Sequence, residues 1–281
     1  MKVDAYAVFG QPITHSKSPR IHQLFAEQTG QTLSYIAQEV SADAFNSAAD
    51  KFFSQGGKGL NCTVPLKELA WRYADNLTER ARLSKAVNTL VLQDDGGILG
   101  ENTDGTGLVT DLTINHAIKL SGRRILILGA GGATRGILAP MLEHHPEQIT
   151  IANRTLGKAE IIAAEFAHLG EVISSDYPNL DRQRFDLIIN ATSASLNGQL
   201  PPLADNLLSE QGCCYDLAYG NEPTTFVRWG IAQHARLSLD GLGMLVEQAA
   251  EAFALWRGIR PQTSAVIELL NSERGKTLPS A

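Results

Sequence analysis

The stretch that most constrains the fold is Arg123-Arg124-Ile125-Leu126-Ile127-Leu128-Gly129-Ala130-Gly131-Gly132-Ala133-Thr134-Arg135-Gly136, where an apolar run breaks into glycines and resumes as Ile137-Leu138-Ala139. A short β-favouring run bounded by glycine reads as a buried strand, and the segment after it as the start of a helix. Unpaired amides at a helix start, with the positive end of its dipole, make a site for phosphate. Glycine at 129 and 131 lets the backbone turn sharply and approach a pyrophosphate. The pattern departs from G-x-G-x-x-G, because Thr134 stands where the third glycine would be and Gly132 and Gly136 are extra. Taken alone, a glycine turn of purely structural use is the alternative reading.

The next apolar run, Gln148-Ile149-Thr150-Ile151-Ala152, lies where a second strand of a dinucleotide fold belongs and ends in Asn153-Arg154-Thr155. A site for NAD usually carries an acidic residue here, for the ribose 2′-hydroxyl, whereas arginine suits the 2′-phosphate of NADP. Arg154 is present and a carboxylate is not. A charge-assisted hydrogen bond worth roughly 1.5–3 kcal/mol corresponds to about a ten- to hundredfold preference for NADP. The bland alternative is a solvated arginine in a loop.

At 281 residues the chain is long enough for two domains. Its 43% hydrophobic and 19% charged content is that of an ordinary soluble protein, and a net charge of −6 gives no electrostatic reason to expect nucleic acid. No apolar run approaches the length of a membrane span, and Met1-Lys2-Val3-Asp4 does not open a signal-like segment, so a cytoplasmic protein is expected. Cys62, Cys213 and Cys214 read as reduced, buried small hydrophobes, and the seven histidines show no metal-ligand spacing.

Taken in order, the chain predicts strands at 4–10 and 33–40, a helix at 43–53, a strand at 60–64 and a helix opened by Pro65 with Lys67 on its first turn. Pro19 opens an earlier helix through Ile21, Leu24 and Phe25. Strands alternating with helices imply a parallel α/β arrangement. Between Val87 and Gly100 two short strands flank Asp94-Asp95-Gly96-Gly97, which is hairpin chemistry. A helix through Leu108, Leu112 and Ile118 follows, with Gly105 and Gly107 just ahead of it read as a hinge. Strands near 125–128, 149–152, 171–174, 185–190, 213–217 and 236–239 match the six of a doubly wound dinucleotide-binding sheet. Two helices, 244–257 and 262–273, close the chain. The expected organisation is thus an N-terminal α/β substrate domain, 1–104, and a Rossmann domain, 105–240. Helices from 241–281 return to the first domain, and hinges near Gly105 and Gly241 allow the two to close.

The first domain places small polar residues at strand ends: Ser16, Ser18, Asn61, Thr63, Lys67, Asn88, Thr89, Asn102 and Asp104. In open α/β sheets ligands bind beyond the carboxyl ends of the strands, so these groups converge on a pocket suited to a small polyhydroxylated carboxylate. Singly, each has a bland reading: Ser16, Ser18 and Asp104 as helix caps, Asn88 in a turn, Lys67 as a solvated lysine.

The combination resembles the shikimate dehydrogenase family. The matching blocks are Ser16-Lys17-Ser18-Pro19, Asn61-Cys62-Thr63-Val64-Pro65-Leu66-Lys67, Ala86-Val87-Asn88-Thr89, Asn102-Thr103-Asp104-Gly105, Gly129-Ala130-Gly131-Gly132-Ala133, Asn153-Arg154-Thr155 and Gly241-Leu242-Gly243-Met244-Leu245-Val246-Glu247-Gln248. Cys62, where the family usually has a β-branched residue, and Lys85, where it often has glycine, depart from the pattern. The resemblance implies reversible, NADP-linked interconversion of 3-dehydroshikimate and shikimate in the route to aromatic amino acids. It implies that Ser16, Ser18, Thr63, Asn88, Tyr219 and Gln248 bind the substrate, with Lys67 and Asp104 flanking the reacting oxygen. It further implies that Gly129, Ala130, Gly131, Gly132, Ala133, Asn153, Arg154, Thr155, Leu217 and Gly241 hold NADP. A positioned lysine supplies a proton to a developing alkoxide, or steadies its charge, without metal; the sequence leaves both roles for Lys67 open. Quinate as a co-substrate, and a non-catalytic NADP-binding sensor, are the rival readings. Monomer and homodimer are both compatible with the chain.

Overall fold

The structure, a computed structural model, describes residues 3–274. The described chain divides into two compact units, one of residues 3–107 and 245–266, the other of 108–244 and 267–274.

The first unit contains β1 (Asp4–Gly10), α1 (Ser18–Thr29), β2 (Leu33–Glu39), α2 (Phe45–Ser54), β3 (Gly57–Cys62), α3 (Lys67–Tyr73), β4 (Asn76–Leu77), α4 (Glu79–Ser84), β5 (Thr89–Leu92), β6 (Ile98–Glu101) and most of α5 (Asp104–Thr110). Its sheet runs β2-β1-β3-β5-β6-β4. β1 is parallel to both neighbours, but β5 is antiparallel to β3 and to β6, so the sheet is mixed rather than parallel throughout. The β5–β6 reversal is set by its turn, where Asp95 accepts the Gly97 amide at 2.9 Å and Gly96 takes a positive φ. Phe9, Phe45, Leu60, Leu66, Val87 and Leu90 form the core on one face.

Three boundaries differ from the periodicity. β3 starts at Gly57 and stops at Cys62, because the Thr63 carbonyl takes the Leu66 amide at 2.7 Å and turns the chain out of the sheet. α3 accordingly opens at Lys67, two residues after Pro65, with Leu66 fully buried beneath it. Gly105 and Gly107 lie inside α5, and the expected helix through Ile118 ends at Thr110 and widens into a π-turn, Asp111–Asn115. Asp111, buried, causes that widening by accepting Asn115 Nδ2 at 2.8 Å and the Tyr215 hydroxyl at 2.7 Å. β4 and α4 are too short to leave a periodic signal.

The second unit contains β7 (Arg124–Leu128), α6 (Gly132–Leu142), β8 (Gln148–Ala152), α7 (Leu156–Phe166), β9 (Val172–Ser175), β10 (Phe185–Asn190), β11 (Leu208–Asp216), α8 (Thr225–Ala232) and β12 (Leu237–Leu239). The strand order is β12-β11-β10-β7-β8-β9, and every pairing is parallel. This is the doubly wound arrangement, with its topological switch point between β7 and β10. Ile125 to Leu128 and Leu187 to Ile189 are almost wholly buried, as the central strands of a sheet covered on both faces must be.

α9 (Leu242–Arg257) and α10 (Ser264–Ser272) finish the chain. Within the first unit, Trp256 Nε1 donates to the Leu90 carbonyl at 3.1 Å and Arg257 pairs with Asp4. Within the second, Arg274 grips Asp240 through both terminal nitrogens, at 2.7 and 2.8 Å. All three cysteines are free and buried. Among the described residues no helix is long and apolar enough to cross a membrane.

Candidate active site

In the first unit the turn after β3 and the start of α5 bring Lys67 and Asp104 together. Lys67 Nζ donates to Asp104 Oδ2 at 2.5 Å. The other carboxylate oxygen accepts Asn88 Nδ2 at 2.8 Å, and the Asp104 amide donates to Asn102 Oδ1 at 3.1 Å. Lys67 is the more open partner, at 28% side-chain exposure against 13% for Asp104, so the ammonium is the member within reach of solvent while the carboxylate sits behind it.

Asn88 is the hub. Its Oδ1 accepts the Thr103 amide and the Thr89 hydroxyl, each at 2.9 Å. Its Nδ2 also lies 3.3 Å from Gln248 Oε1, so Gln248, on α9, stands beside the pair as well. The backbone fixes the hub from both sides, the Cys62 amide donating to the Asn88 carbonyl and the Asn88 amide to that of Glu101. Glu101, 3% exposed, is held by Arg80 and Thr78 and accepts the Asn102 amide at 2.7 Å, which pins the turn carrying Asp104. Burial pushes the Cys62 thiol pKa up, against the pull of the nearby Lys67 charge, and leaves this cysteine a neutral wall.

Thr63 follows β3 and is partly exposed, and Ser18 is buried at the first turn of α1. Ser16 is partly exposed, and its hydroxyl accepts the Ser18 amide at 3.3 Å, which leaves the hydroxyl proton to give. Tyr219 lies in the second unit, on the loop after β11, where burial raises its hydroxyl pKa and Asp240 adds to the rise. Thr103, Tyr35 and Glu101 are not legible as site residues from sequence, because their side chains bond other protein groups; the one signal is Thr103's place between Asn102 and Asp104.

The second unit carries the nucleotide candidates at the switch point. Gly129 ends β7 with φ +103, a conformation L side chains rarely adopt, and its amide donates to the Ala152 carbonyl at 2.7 Å. Thr134, in the place of the third glycine, is fully buried and donates its hydroxyl to the Gly129 carbonyl at 2.7 Å, so it locks the turn from inside. No side chain caps α6, and a Cβ at Gly131 or Gly132 would meet nothing within 4 Å. The open space above uncapped amides, with exposed Ala133 beside it, is the cradle a pyrophosphate needs, so the residues present fit a dinucleotide.

At the end of β8, Asn153 Nδ2 donates to the Thr155 carbonyl at 2.8 Å and shapes the turn that presents Arg154. Arg154 is exposed, and among the described residues no carboxylate pairs with it. Its charge partly offsets the rise that burial imposes on the Tyr177 hydroxyl pKa. The Leu217 amide donates to the Asn190 carbonyl at 3.0 Å and the Gly241 amide to that of Ala218 at 3.1 Å, which ties both to the strand ends beside the switch point.

Residues 8–90 match the family described as "Shikimate dehydrogenase substrate binding domain", residues 111–198 the one described as "Shikimate / quinate 5-dehydrogenase", and residues 241–270 a "Shikimate 5'-dehydrogenase C-terminal domain". The chain is 60% identical to the shikimate dehydrogenase (NADP(+)) of Methylococcus capsulatus over 96% of its own length and 97% of the relative's. It is 57% identical to that of Cellvibrio japonicus, over 96% and 98%. It also resembles the crystal structure of shikimate 5-dehydrogenase from Thermus thermophilus in complex with NADP(H) and shikimate, at 32% identity and a TM-score of 0.85, covering 95% of this chain and 98% of that one.

Proposed function

This chain belongs to the shikimate dehydrogenase family, and on that premise we propose that it interconverts shikimate and 3-dehydroshikimate with NADP as the redox partner. The observation that carries the reading is the Lys67–Asp104 pair, an ammonium held at 2.5 Å by a carboxylate whose second oxygen is taken by Asn88. When bound, NADPH would supply the hydride in reduction and NADP+ would accept it in oxidation.

The ketone carbon gains that hydride and its oxygen gains the electron pair of the C=O bond, so the product hydroxyl needs one proton. Lys67 carries that proton and places positive charge against the oxygen as charge develops there; in the reverse direction it takes the proton back. Asp104 keeps the ammonium from swinging to solvent, and accepts a hydroxyl of the ring once Lys67 has moved toward the oxygen. Ser16, Ser18 and Thr63 offer hydroxyls to the carboxylate of the substrate, and Asn88 and Gln248 offer amides to its hydroxyls. The amides of the Gly129–Ala133 turn receive the pyrophosphate, Arg154 the 2′-phosphate, with Asn153 and Thr155 shaping that loop and Leu217 and Gly241 lining the nicotinamide end.

The test is reduced-nicotinamide absorbance with purified protein, crossing shikimate and quinate with NADP and NAD. Fast turnover confined to shikimate with NADP supports the reading. Comparable rates with quinate or NAD would make it a broader dehydrogenase of the same family, and no turnover with any pair would overturn it.

A further inference from the structure

A hydrogen-bonded chain runs from β2 to the Lys67–Asp104 pair. The Tyr35 hydroxyl donates to Asn61 Oδ1 at 2.6 Å. Asn61 Nδ2 then faces Thr89 Oγ1 and the Asn88 carbonyl, each at 3.0 Å. Having accepted there, the Thr89 hydroxyl donates to Asn88 Oδ1 at 2.9 Å, and Asn88 Nδ2 donates to Asp104 Oδ1 at 2.8 Å. Every proton points the same way along the chain. Asn61, Thr89, Asn88 and Asp104 are no more than 9% exposed, so water does not stand in for a lost member.

The direction is set at the Tyr35 end. A buried amide has two orientations that differ by exchanging its oxygen and nitrogen, and only one lets Oδ1 receive the phenol proton. With the other, Asn61 Oδ1 would oppose the Asn88 carbonyl, and Thr89 would donate to Asn61 instead of to Asn88. The phenol itself is held in place, because its ring stacks on His22 at 4.1 Å and 7°.

We infer that Tyr35 is a positioning residue, whose hydroxyl orients Asn61 and, through Thr89 and Asn88, aims the Asp104 carboxylate at Lys67. The inference rests on the proposed reading of Lys67 and Asp104 as the reacting pair.

The experiment uses Tyr35→Phe in the full chain, which keeps the ring on His22 and removes the hydroxyl. With shikimate and NADP, kcat is expected to fall about 5- to 20-fold, the range of one unsatisfied buried acceptor felt at a distance, while the NADP KM stays within about twofold. Thr89→Val breaks the chain further along and shows a similar loss, and Thr89→Ser restores the parent rate. The double variant Tyr35→Phe/Thr89→Val is no worse than the more impaired single variant, because both cut one chain. In ligand-free, 15N-labelled protein the Asn88 side-chain amide resonances shift on Tyr35→Phe. A kcat within twofold of the parent, losses that multiply in the double variant, or unmoved Asn88 resonances would overturn the inference. A parent chain that turns over no shikimate would overturn the functional reading instead, and the Asn88 resonances would still decide the chain.

Discussion

Lys67 Nζ sits 2.5 Å from Asp104 Oδ2, while Asn88 occupies the other oxygen of the same carboxylate at 2.8 Å. The two residues are 37 positions apart in sequence, and each is delivered by a helix start, Lys67 as the first residue of α3 and Asp104 as the first of α5. First-turn side chains project from the end of a helix rather than along its packed face, so both reach a ligand without costing core contacts. The Val87 amide, next to Asn88, donates to the Lys67 carbonyl at 2.9 Å and fastens the two loops to each other.

Replacing Lys67 removes the proton and the positive charge but leaves the hydroxyls and amides around the substrate in place. Lys67→Ala is therefore expected to lower kcat by about 10²–10⁴, the usual contribution of a positioned acid–base group, with a much smaller change in the shikimate KM. Steady-state kinetics with shikimate varied at saturating NADP separates the two constants. A raised KM with kcat preserved would make Lys67 a binding residue only.

Arg154 is exposed just after β8, where no carboxylate among the described residues pairs with it. Removing its guanidinium takes a charge-assisted contact from the 2′-phosphate and nothing from the 2′-hydroxyl that NAD carries there. Arg154→Ala is expected to raise the NADP KM about ten- to hundredfold and to leave the NAD KM where it was. Equal effects on both cofactors would remove Arg154 from cofactor selection.

The glycines of the β7–α6 turn separate backbone need from ligand space. At Gly129 an added Cβ suffers the positive φ and lies 3.0 Å from Thr192 Cγ2, so Gly129→Ala is expected to cost about 1–3 kcal/mol and to lower the melting temperature. At Gly131, whose backbone is extended and whose Cβ meets nothing, Gly131→Ala is expected to leave the melting temperature unchanged while raising the NADP KM about tenfold or more. Calorimetry and kinetics on the two variants would show opposite patterns, and a melting loss at Gly131 would count against the cradle.

Much of this is legible in the sequence alone. The strand order of the second unit follows from six apolar runs spaced by helices, because right-handed crossovers leave few ways to wind them. Arg154 stands out at a strand end that lacks a carboxylate, and Lys67 only in combination with the small polar residues around it and the glycine turn. What periodicity could not reach was set by individual hydrogen bonds and by strand pairing: the Thr63 carbonyl that takes the Leu66 amide and ends β3, the Asp111 carboxylate that holds Asn115 and Tyr215 after α5, and the antiparallel pairing of β5 with β3. The partners of Asn88 were hidden for the same reason. Tyr35, Thr89 and Thr103 come from β2, β5 and the loop before α5, and hydrogen-bond partners that far apart leave no spacing in the sequence.

His22 gives the first unit an acid sensitivity of its own. The ring is 1% exposed, packed among Tyr35, Phe25, Phe253 and Trp256, and neither nitrogen has a hydrogen-bond partner. Burial with no compensating acceptor lowers its pKa from 6.5 to about 3. The unfolded chain therefore takes up a proton as pH falls through 6.5, and the folded chain does not until about pH 3, so stability is present above this window and is lost on acidification within it. Between pH 7 and pH 5 the loss from this group is about 2 kcal/mol. His22→Phe keeps an aromatic ring against Tyr35 and binds no proton in either state. Urea unfolding followed by circular dichroism at the two pH values should show the variant losing about 2 kcal/mol less than the parent across that interval. An equal loss in both would mean that His22 takes up its proton inside the folded core, and that the aromatic cluster opens to water well above pH 3.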